Sequence, residues 1–146
     1  ATPGRYRLPD LPQADLLLIG VSRVGKTPLS LYISVMGLKA ANTPWVPGIP
    51  QPKPLDEVDP QRVIALTIEP GQLLQLREER QRRIGVPGTG SYTDPQHVFA
   101  ETEQARAFFR QRGFTVLDVT DRPIEETAEE VVRIITSRFP PPRRQG

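Results

Sequence analysis

The stretch ADLLLIGVSRVGKTPLS, residues 14–30, decides how this chain folds. Its first seven residues, 14–20, are almost continuously apolar and predict a strand buried on both faces, as in a parallel sheet. Residues 28–38 predict a helix that packs on that sheet. Its expected inward stripe consists of Leu29, Tyr32 and Val35 or Met36. The stretch therefore predicts a buried strand, a loop with a glycine at each end and a helix in direct succession.

The loop matches the phosphate-loop pattern of a glycine, four unrestricted residues, a glycine, a lysine and a serine or threonine. Glycine permits backbone angles that let successive N–H groups point at phosphate oxygens, and the following helix directs its positive dipole end at the same anion. We expect Lys26 to neutralise phosphate charge and the Thr27 hydroxyl to bind Mg²⁺. The alternative is an ordinary strand-to-helix turn that binds nothing. The predicted nucleotide-binding residues of the loop are Gly20, Val21, Ser22, Arg23, Val24, Gly25, Lys26 and Thr27.

The rest of the chain alternates strands and helices. Residues 62–68 and 114–119 predict two further strands, and helices are predicted after Gly71, from Asp94 to Gly113 and from Pro123. The last two helices have apolar stripes: Val98, Thr102, Ala105 and Phe109 in one, and Ile124, Ala128, Val131 and Ile135 in the other. Prolines recur from Thr43 to Pro60 and predict a stretch without regular structure. The pattern indicates an α/β fold, a P-loop kinase-like three-layer sandwich with a mainly parallel sheet.

Composition narrows the classes of function. The 146 residues carry a net charge of +2 with interleaved acidic and basic side chains, which is not the footprint of a nucleic-acid-binding protein. With no cysteine and one histidine, thiolate and histidine-rich metal sites are excluded. No apolar run reaches the roughly 20 residues that cross a membrane. We expect a cytoplasmic domain over residues 14–139, with a linker over 1–13 and a disordered tail over 140–146.

Two carboxylates follow or end predicted strands and are candidates for a second magnesium anchor. Asp118 is the predicted metal ligand beside Thr27, and the alternative is a carboxylate that caps the strand end. Glu69 is expected to be such a cap. The chain lacks the asparagine-lysine-x-aspartate pattern that reads guanine in GTPases.

Arginines recur every three residues in the helix after Gly71, at positions 77, 80 and 83, so we expect them to share a face. Small phosphoryl-transfer enzymes often close an arginine-bearing lid over the phosphate donor. The guanidinium groups of such a lid neutralise charge on the phosphate that is transferred. This interpretation makes Arg77 and Arg80 candidate catalytic residues with Lys26. The alternative is a solvated helix with i,i+4 pairs between Glu78 and Arg82 and between Glu79 and Arg83. Those pairs would leave Arg77 and Arg80 without partners.

Three runs resemble one family over residues 14–137. They are ADLLLIGVSRVGKTPLSLYISVMGLKAANTPWVP, RVIALTI with LLQLREERQRR, and FTVLDVTDRPIEETAEEVVRII. The chain is similar to the regulatory protein of pyruvate phosphate dikinase and phosphoenolpyruvate synthase. That family usually has threonine and serine where this chain has Val24 and Gly25, so this loop is the fuller match to the general pattern. The family also carries an additional amino-terminal domain, on which acceptor recognition or dimerisation is expected to depend. The oligomer that the resemblance allows is a homodimer.

The resemblance implies a bifunctional enzyme. It would transfer the β-phosphate of ADP to a threonine beside the catalytic histidine of the dikinase or synthase, which inactivates that partner. With inorganic phosphate it would remove the same group and release pyrophosphate. The implied ligands are therefore ADP, Mg²⁺ and inorganic phosphate.

Within this hypothesis Arg23 contacts the outgoing phosphoryl group. The loop after the last strand, with Arg122 and Pro123, is the candidate adenine contact. Two other functions stay open: an ATP-dependent small-metabolite kinase of the shikimate or nucleoside monophosphate type, and a module that senses a nucleotide without transferring phosphate. His97 is expected to face solvent, and Trp45 is expected to be buried rather than to dock a protein.

Overall fold

Four strands and four helices form the core of the computed structural model, which describes residues 14–85 and 90–140. The strands are β1 (Leu16–Gly20), β2 (Ala40–Pro44), β3 (Val63–Thr67) and β4 (Thr115–Asp118). The helices are α1 (Lys26–Val35), α2 (Pro70–Ile84), α3 (Pro95–Gln111) and α4 (Ile124–Arg138). Short 3₁₀ helices span Lys53–Glu57, Pro60–Arg62 and Gly90–Thr93.

The sheet is parallel throughout, in the order β2-β1-β3-β4. Leu17 of β1 lies opposite Ala41 of β2 on one side and Val63 of β3 on the other. Every residue of β1 and β3 is buried, as expected for central strands covered on both faces. Because the strands run in the same direction, the loops that follow them lie together at the carboxyl-terminal end of the sheet, which is where α/β proteins bind ligands.

Helices cover both faces of the sheet. α1 packs against α4 on one face, and α2 packs against α3 on the other. The predicted stripe of α3 is buried in full, and in α4 Ala128, Val131 and Ile135 are buried while Ile124 is partly buried. The predicted three-layer α/β sandwich is therefore confirmed.

The inward face of α1 differs from the prediction. Leu29, Ser30 and Ile33 are buried, whereas Tyr32 is 42% exposed and Val35 is 86% exposed. The sequence of this helix is apolar on nearly all sides, so periodicity alone could not select the buried face. The helix also begins at Lys26 rather than at residue 28, because Pro28 lies in the first turn, where backbone N–H groups have no partner within the helix.

The prediction of a stretch without regular structure over residues 43–60 is wrong at both ends. Strand β2 covers Ala40–Pro44, and the two 3₁₀ helices before β3 lie in or at the end of the same stretch. Among the described residues β2 is an edge strand, paired with β1. Pro44 is its last residue, so the missing proline N–H breaks no bond in the middle of the sheet. The composition Ala-Ala-Asn-Thr-Pro carries little strand signal, which is why the sequence did not predict β2.

Other expectations fall outside the part of the chain that the structure describes. These are the linker over residues 1–13, the tail from residue 141 onward and residues 86–89 of the turn-rich segment after α2. Within the described residues, no helix is both long and apolar enough to cross a membrane.

Candidate functional site

The loop between β1 and α1 has a tightly constrained backbone. Arg23 adopts a φ of 73° and Gly25 a φ of 108°, both in the left-handed region. A left-handed non-glycine residue costs energy, and such strain concentrates at ligand-binding sites. The Lys26 ammonium donates to the carbonyl oxygens of Gly20 at 2.7 Å and Val21 at 2.9 Å. The loop therefore holds its lysine across the end of β1.

Gly20 is required by packing. A Cβ atom at this position would lie 2.8 Å from Val24 Cγ1 and 3.1 Å from the backbone oxygen of Leu66. Val24 is buried, and its N–H donates to the Val21 carbonyl. Val24 thus packs beside Gly20 near β3, and its contact with phosphate stays a prediction.

A cavity of about 430 Å³ is lined on one side by residues 23–29, which belong to the loop and the first turn of α1; we call it the loop cavity. Five of its lining residues are cationic and one, Glu79, is acidic, so the cavity favours an anion. The cations are Arg23, Lys26, Arg80, Arg83 and Arg122. Apolar side chains beyond the loop form a second part of the wall: Leu66, Ile68, Leu76, Val119 and Ile124. A cationic end and an apolar wall together suit a ligand with both a polyphosphate and a flat base.

The arginines of α2 do not share one environment, so the predicted common face is wrong for Arg77. Its side chain is 1% exposed and lies on the buried stripe of α2 with Leu73. Its guanidinium donates to both carboxylate oxygens of Glu101 at 2.9 Å, and to the carbonyl oxygens of Ser22 and Tyr92. Arg77 is therefore a positioning residue that ties α2, α3 and the phosphate loop together, which contradicts a role as a mobile lid arginine.

Arg80 and Arg83 do line the loop cavity, and both are exposed. In the described part of the chain, neither Glu78 and Arg82 nor Glu79 and Arg83 form an ion pair. The alternative of a helix held together by these two pairs is therefore not what the structure shows. Arg80 keeps its predicted position near the loop.

Both candidate carboxylates, Glu69 after β3 and Asp118 at the end of β4, act as local caps. Glu69 accepts hydrogen bonds from the N–H groups of Gly71 and Gln72 at the start of α2, as expected for a cap. Asp118 accepts from the backbone N–H and the hydroxyl of Thr120. Burial raises the pKa of Asp118, but the Thr120 hydrogen bonds and the nearby charges of Arg106 and Arg122 bring that pKa below its ordinary value.

The two predicted metal ligands, Thr27 and Asp118, do not both line the loop cavity among the described residues. Thr27 lines the loop cavity and is exposed, whereas Asp118 is not among the described residues of that lining. No group of three or more histidine, cysteine or acidic residues that could hold a metal occurs in residues 14–85 and 90–140. A hydroxyl and phosphate oxygens nevertheless suit Mg²⁺, which keeps several waters and binds through few protein ligands. Thr27 thus fits a magnesium ion carried by a bound diphosphate.

The loop after β4 contributes to the cavity differently from the prediction. Arg122 lines it and forms an ion pair with Glu130 at 2.7 Å. Pro123 lies outside the described lining; it precedes α4, and its carbonyl accepts from Thr127. The cavity wall is formed instead by Ile124 and Thr127, neither of which was predicted as a ligand contact.

The expected exposure of His97 and the expected burial of Trp45 are confirmed. His97 is exposed at the start of α3. Trp45 is buried and packs against Phe108, with ring centroids 6.1 Å apart. Both also line a second cavity, which lies on the other side of the phosphate loop.

These features describe an α/β protein with a parallel sheet, in which a loop of the phosphate-loop sequence pattern follows the central strand β1. The chain belongs to the kinase/pyrophosphorylase family, whose sequence pattern matches residues 6–132. It is 50% identical over 130 residues to a Chloroflexus aurantiacus protein named as a pyruvate, phosphate dikinase regulatory protein, covering 89% of this chain and 47% of that protein.

Two further relatives carry the same name. The chain is 48% identical over 129 residues to the Desulfotalea psychrophila protein, covering 88% of this chain and 46% of that relative. It is 40% identical over 131 residues to the Bdellovibrio bacteriovorus protein, covering 89% of this chain and 47% of that relative. The chain thus spans about half the length of the relatives it matches.

Proposed function

We propose that this chain carries the phosphoryl-transfer site of a bifunctional regulatory enzyme. The donor is ADP, the acceptor is a threonine of pyruvate phosphate dikinase or phosphoenolpyruvate synthase, and inorganic phosphate drives the reverse reaction. The observation that carries the proposal is the loop cavity at the end of β1. Five cationic side chains line it, and two of them belong to the loop that has the phosphate-loop pattern. The names of the relatives support the dikinase as partner.

In the forward reaction the threonine Oγ attacks the β-phosphorus of ADP. The new Oγ–P bond forms as the bond from that phosphorus to the bridging oxygen breaks; AMP leaves, and the hydroxyl proton passes to solvent. In the reverse reaction an oxygen of inorganic phosphate attacks the phosphothreonine phosphorus. The threonine oxygen then leaves and takes up a proton, and the other product is pyrophosphate.

The residues of the loop divide this work by position. Lys26 already points its ammonium across the end of β1, where a diphosphate would offer it charged oxygens in place of the Gly20 and Val21 carbonyls. Arg23 and Arg80 line the same cavity and can neutralise charge that develops on the transferred group. Thr27 would hold Mg²⁺, which neutralises the charge of the phosphates when bound.

The test is transfer of label from β-³²P-ADP to purified dikinase by the protein in its full natural length. We expect label on a threonine, and loss of that label in Lys26→Ala. Lys39→Ala is the matched control, because Lys39 is an exposed lysine that immediately precedes β2. It therefore lies at the amino-terminal ends of the strands, away from the phosphate loop. Transfer from γ-labelled ATP to a small metabolite, with none from ADP to the dikinase, would contradict the proposal.

A further inference from the structure

A second cavity, of about 480 Å³, lies on the other side of the phosphate loop; we call it the tryptophan cavity. One wall is the segment after β2, including Trp45 and Val46, and the other is the first three turns of α3. The loop itself separates the two cavities, because Ser22 lines the tryptophan cavity and the next residue, Arg23, lines the loop cavity. No described residue lines both.

The charge of the tryptophan cavity differs from that of the loop cavity. Its only arginine among the described lining residues is Arg77, which is paired with Glu101 through two contacts of 2.9 Å. The same guanidinium lies 4.5 Å from the ring centre of Tyr92, a further neighbour that satisfies its charge. A second nucleotide would find no unpaired arginine or lysine in this lining, so a polyphosphate ligand is disfavoured.

The rest of the described lining contains no lysine, arginine or carboxylate and includes the aromatic side chains of Trp45 and Tyr92. Aromatic-lined grooves are among the sites that accept an extended polypeptide. Pro44, Trp45, Val46 and Pro47 form one side, and Tyr92 contacts the Ser22 hydroxyl at 3.4 Å between the two oxygens. In phosphoryl transfer the attacking and leaving oxygens lie roughly in line through the transferred phosphorus, so donor and acceptor approach from opposite sides. If the nucleotide occupies the loop cavity, the acceptor would approach the transferred phosphate from the tryptophan cavity.

We propose that the tryptophan cavity binds the threonine-bearing polypeptide segment of the acceptor and so determines acceptor specificity. This inference rests on the proposed function, since it assigns the second substrate of the same reaction. The segment is uncharged where it meets Trp45 and Val46, and its hydroxyl reaches the phosphate loop beside Ser22.

The test fills the cavity without disturbing the core. Ala100→Arg places a long side chain into the cavity from α3, and Val46→Arg does so from the opposite wall; both native residues are exposed. Ala107→Arg is the matched control, because Ala107 is exposed two turns further along α3 and lies outside the lining. Circular dichroism verifies that each variant is folded.

With the full-length protein and purified dikinase, we expect both cavity variants to raise the KM for dikinase by about tenfold or more. The affinity for ADP should stay within about twofold of the wild-type value, and Ala107→Arg should change neither quantity. An unchanged KM for dikinase in both folded cavity variants would overturn the inference while leaving the proposed function intact. Loss of ADP affinity in those variants would also overturn it, since the nucleotide would then occupy this cavity. Absence of any transfer by the wild-type protein would overturn the proposed function and this inference together.

Discussion

The two cavities beside the phosphate loop are of similar size but differ in charge: the described lining of the loop cavity is mainly cationic, whereas the charged side chains in the described lining of the tryptophan cavity are paired. The loop cavity carries exposed arginines such as Arg80, whereas the described lining of the tryptophan cavity carries Arg77, which is buried and engaged with Glu101. Both arginines belong to α2 and lie three residues apart. A charge kept exposed can bind a ligand, and a charge buried with its partner can hold a backbone in place. One helix thus serves both purposes, according to which of its faces meets the core.

The largest expected effect separates these two arginines. Arg77→Leu removes the partner of Glu101, whose side chain is only 16% exposed, and should cost about 3–5 kcal/mol of unfolding free energy. Arg80→Leu should change it by less than about 0.5 kcal/mol, because Arg80 is exposed. Urea unfolding of both variants measures the difference. Equal losses would show that the two arginines are not distinct, and the double variant Arg77→Leu with Glu101→Leu should recover part of the loss.

The next effect concerns Gly20, the residue at which the phosphate loop begins. Gly20→Ala forces a Cβ atom against Val24 and the Leu66 carbonyl and should destabilise the protein by about 1–3 kcal/mol. Combining it with Val24→Ala should cost less than the sum of the two single changes, because the closest clash is with Val24 Cγ1. Thermal or urea unfolding of the three variants measures this coupling. Strict additivity would contradict the packing described here.

A smaller effect is expected at the start of α2, the helix that carries both arginines. Glu69→Ala removes the acceptor for the N–H groups of Gly71 and Gln72 and should cost about 1 kcal/mol. Glu78→Ala is the control, since Glu78 is an exposed glutamate in the middle of the same helix. Denaturant midpoints of the two variants give the result. A loss that is no larger for position 69 than for position 78 would show that the cap contributes nothing.

The smallest effect is a pH dependence at the end of β4. Because the folded-state pKa of Asp118 lies below its ordinary value of 3.8, its carboxylate stabilises the fold above that pH. The contribution is lost as the pH falls through the folded-state pKa. Wild type should therefore exceed Asp118→Asn in stability near pH 6 by more than it does near pH 2, as measured by urea unfolding at both values. A difference that grows toward acid would contradict this sign.

The sequence predicted the features that depend on local pattern. The apolar run of β1, the glycines and Lys26 of the loop, and the stripes of α3 and α4 all follow from spacing along one element. The features it missed depend on partners far apart in the chain. Arg77 and Glu101 are 24 residues apart, and no pairing rule within a helix connects them. The i,i+4 spacing of Leu73 and Arg77 was a signal that position 77 faces the core.

The candidate site was predictable to a similar extent. The loop residues and Arg122 follow from the phosphate-loop pattern and from the parallel sheet, and the structure places most of them around one cavity. Asp118 accepts hydrogen bonds from Thr120 as a local cap, and its role as a metal ligand stays a prediction. The tryptophan cavity was not predictable, since β2 and the segment after it gave no strand signal from which its position could be inferred.

Calorimetric titration of the full-length protein with ADP in the presence of Mg²⁺ tests the division between the two cavities most directly. Lys26→Ala should weaken ADP binding by about tenfold to a hundredfold, as expected for loss of a charged hydrogen bond to phosphate. Ala100→Arg in the tryptophan cavity should leave ADP binding unchanged. Normal ADP affinity in Lys26→Ala, or loss of affinity in Ala100→Arg alone, would show that the nucleotide does not bind in the loop cavity.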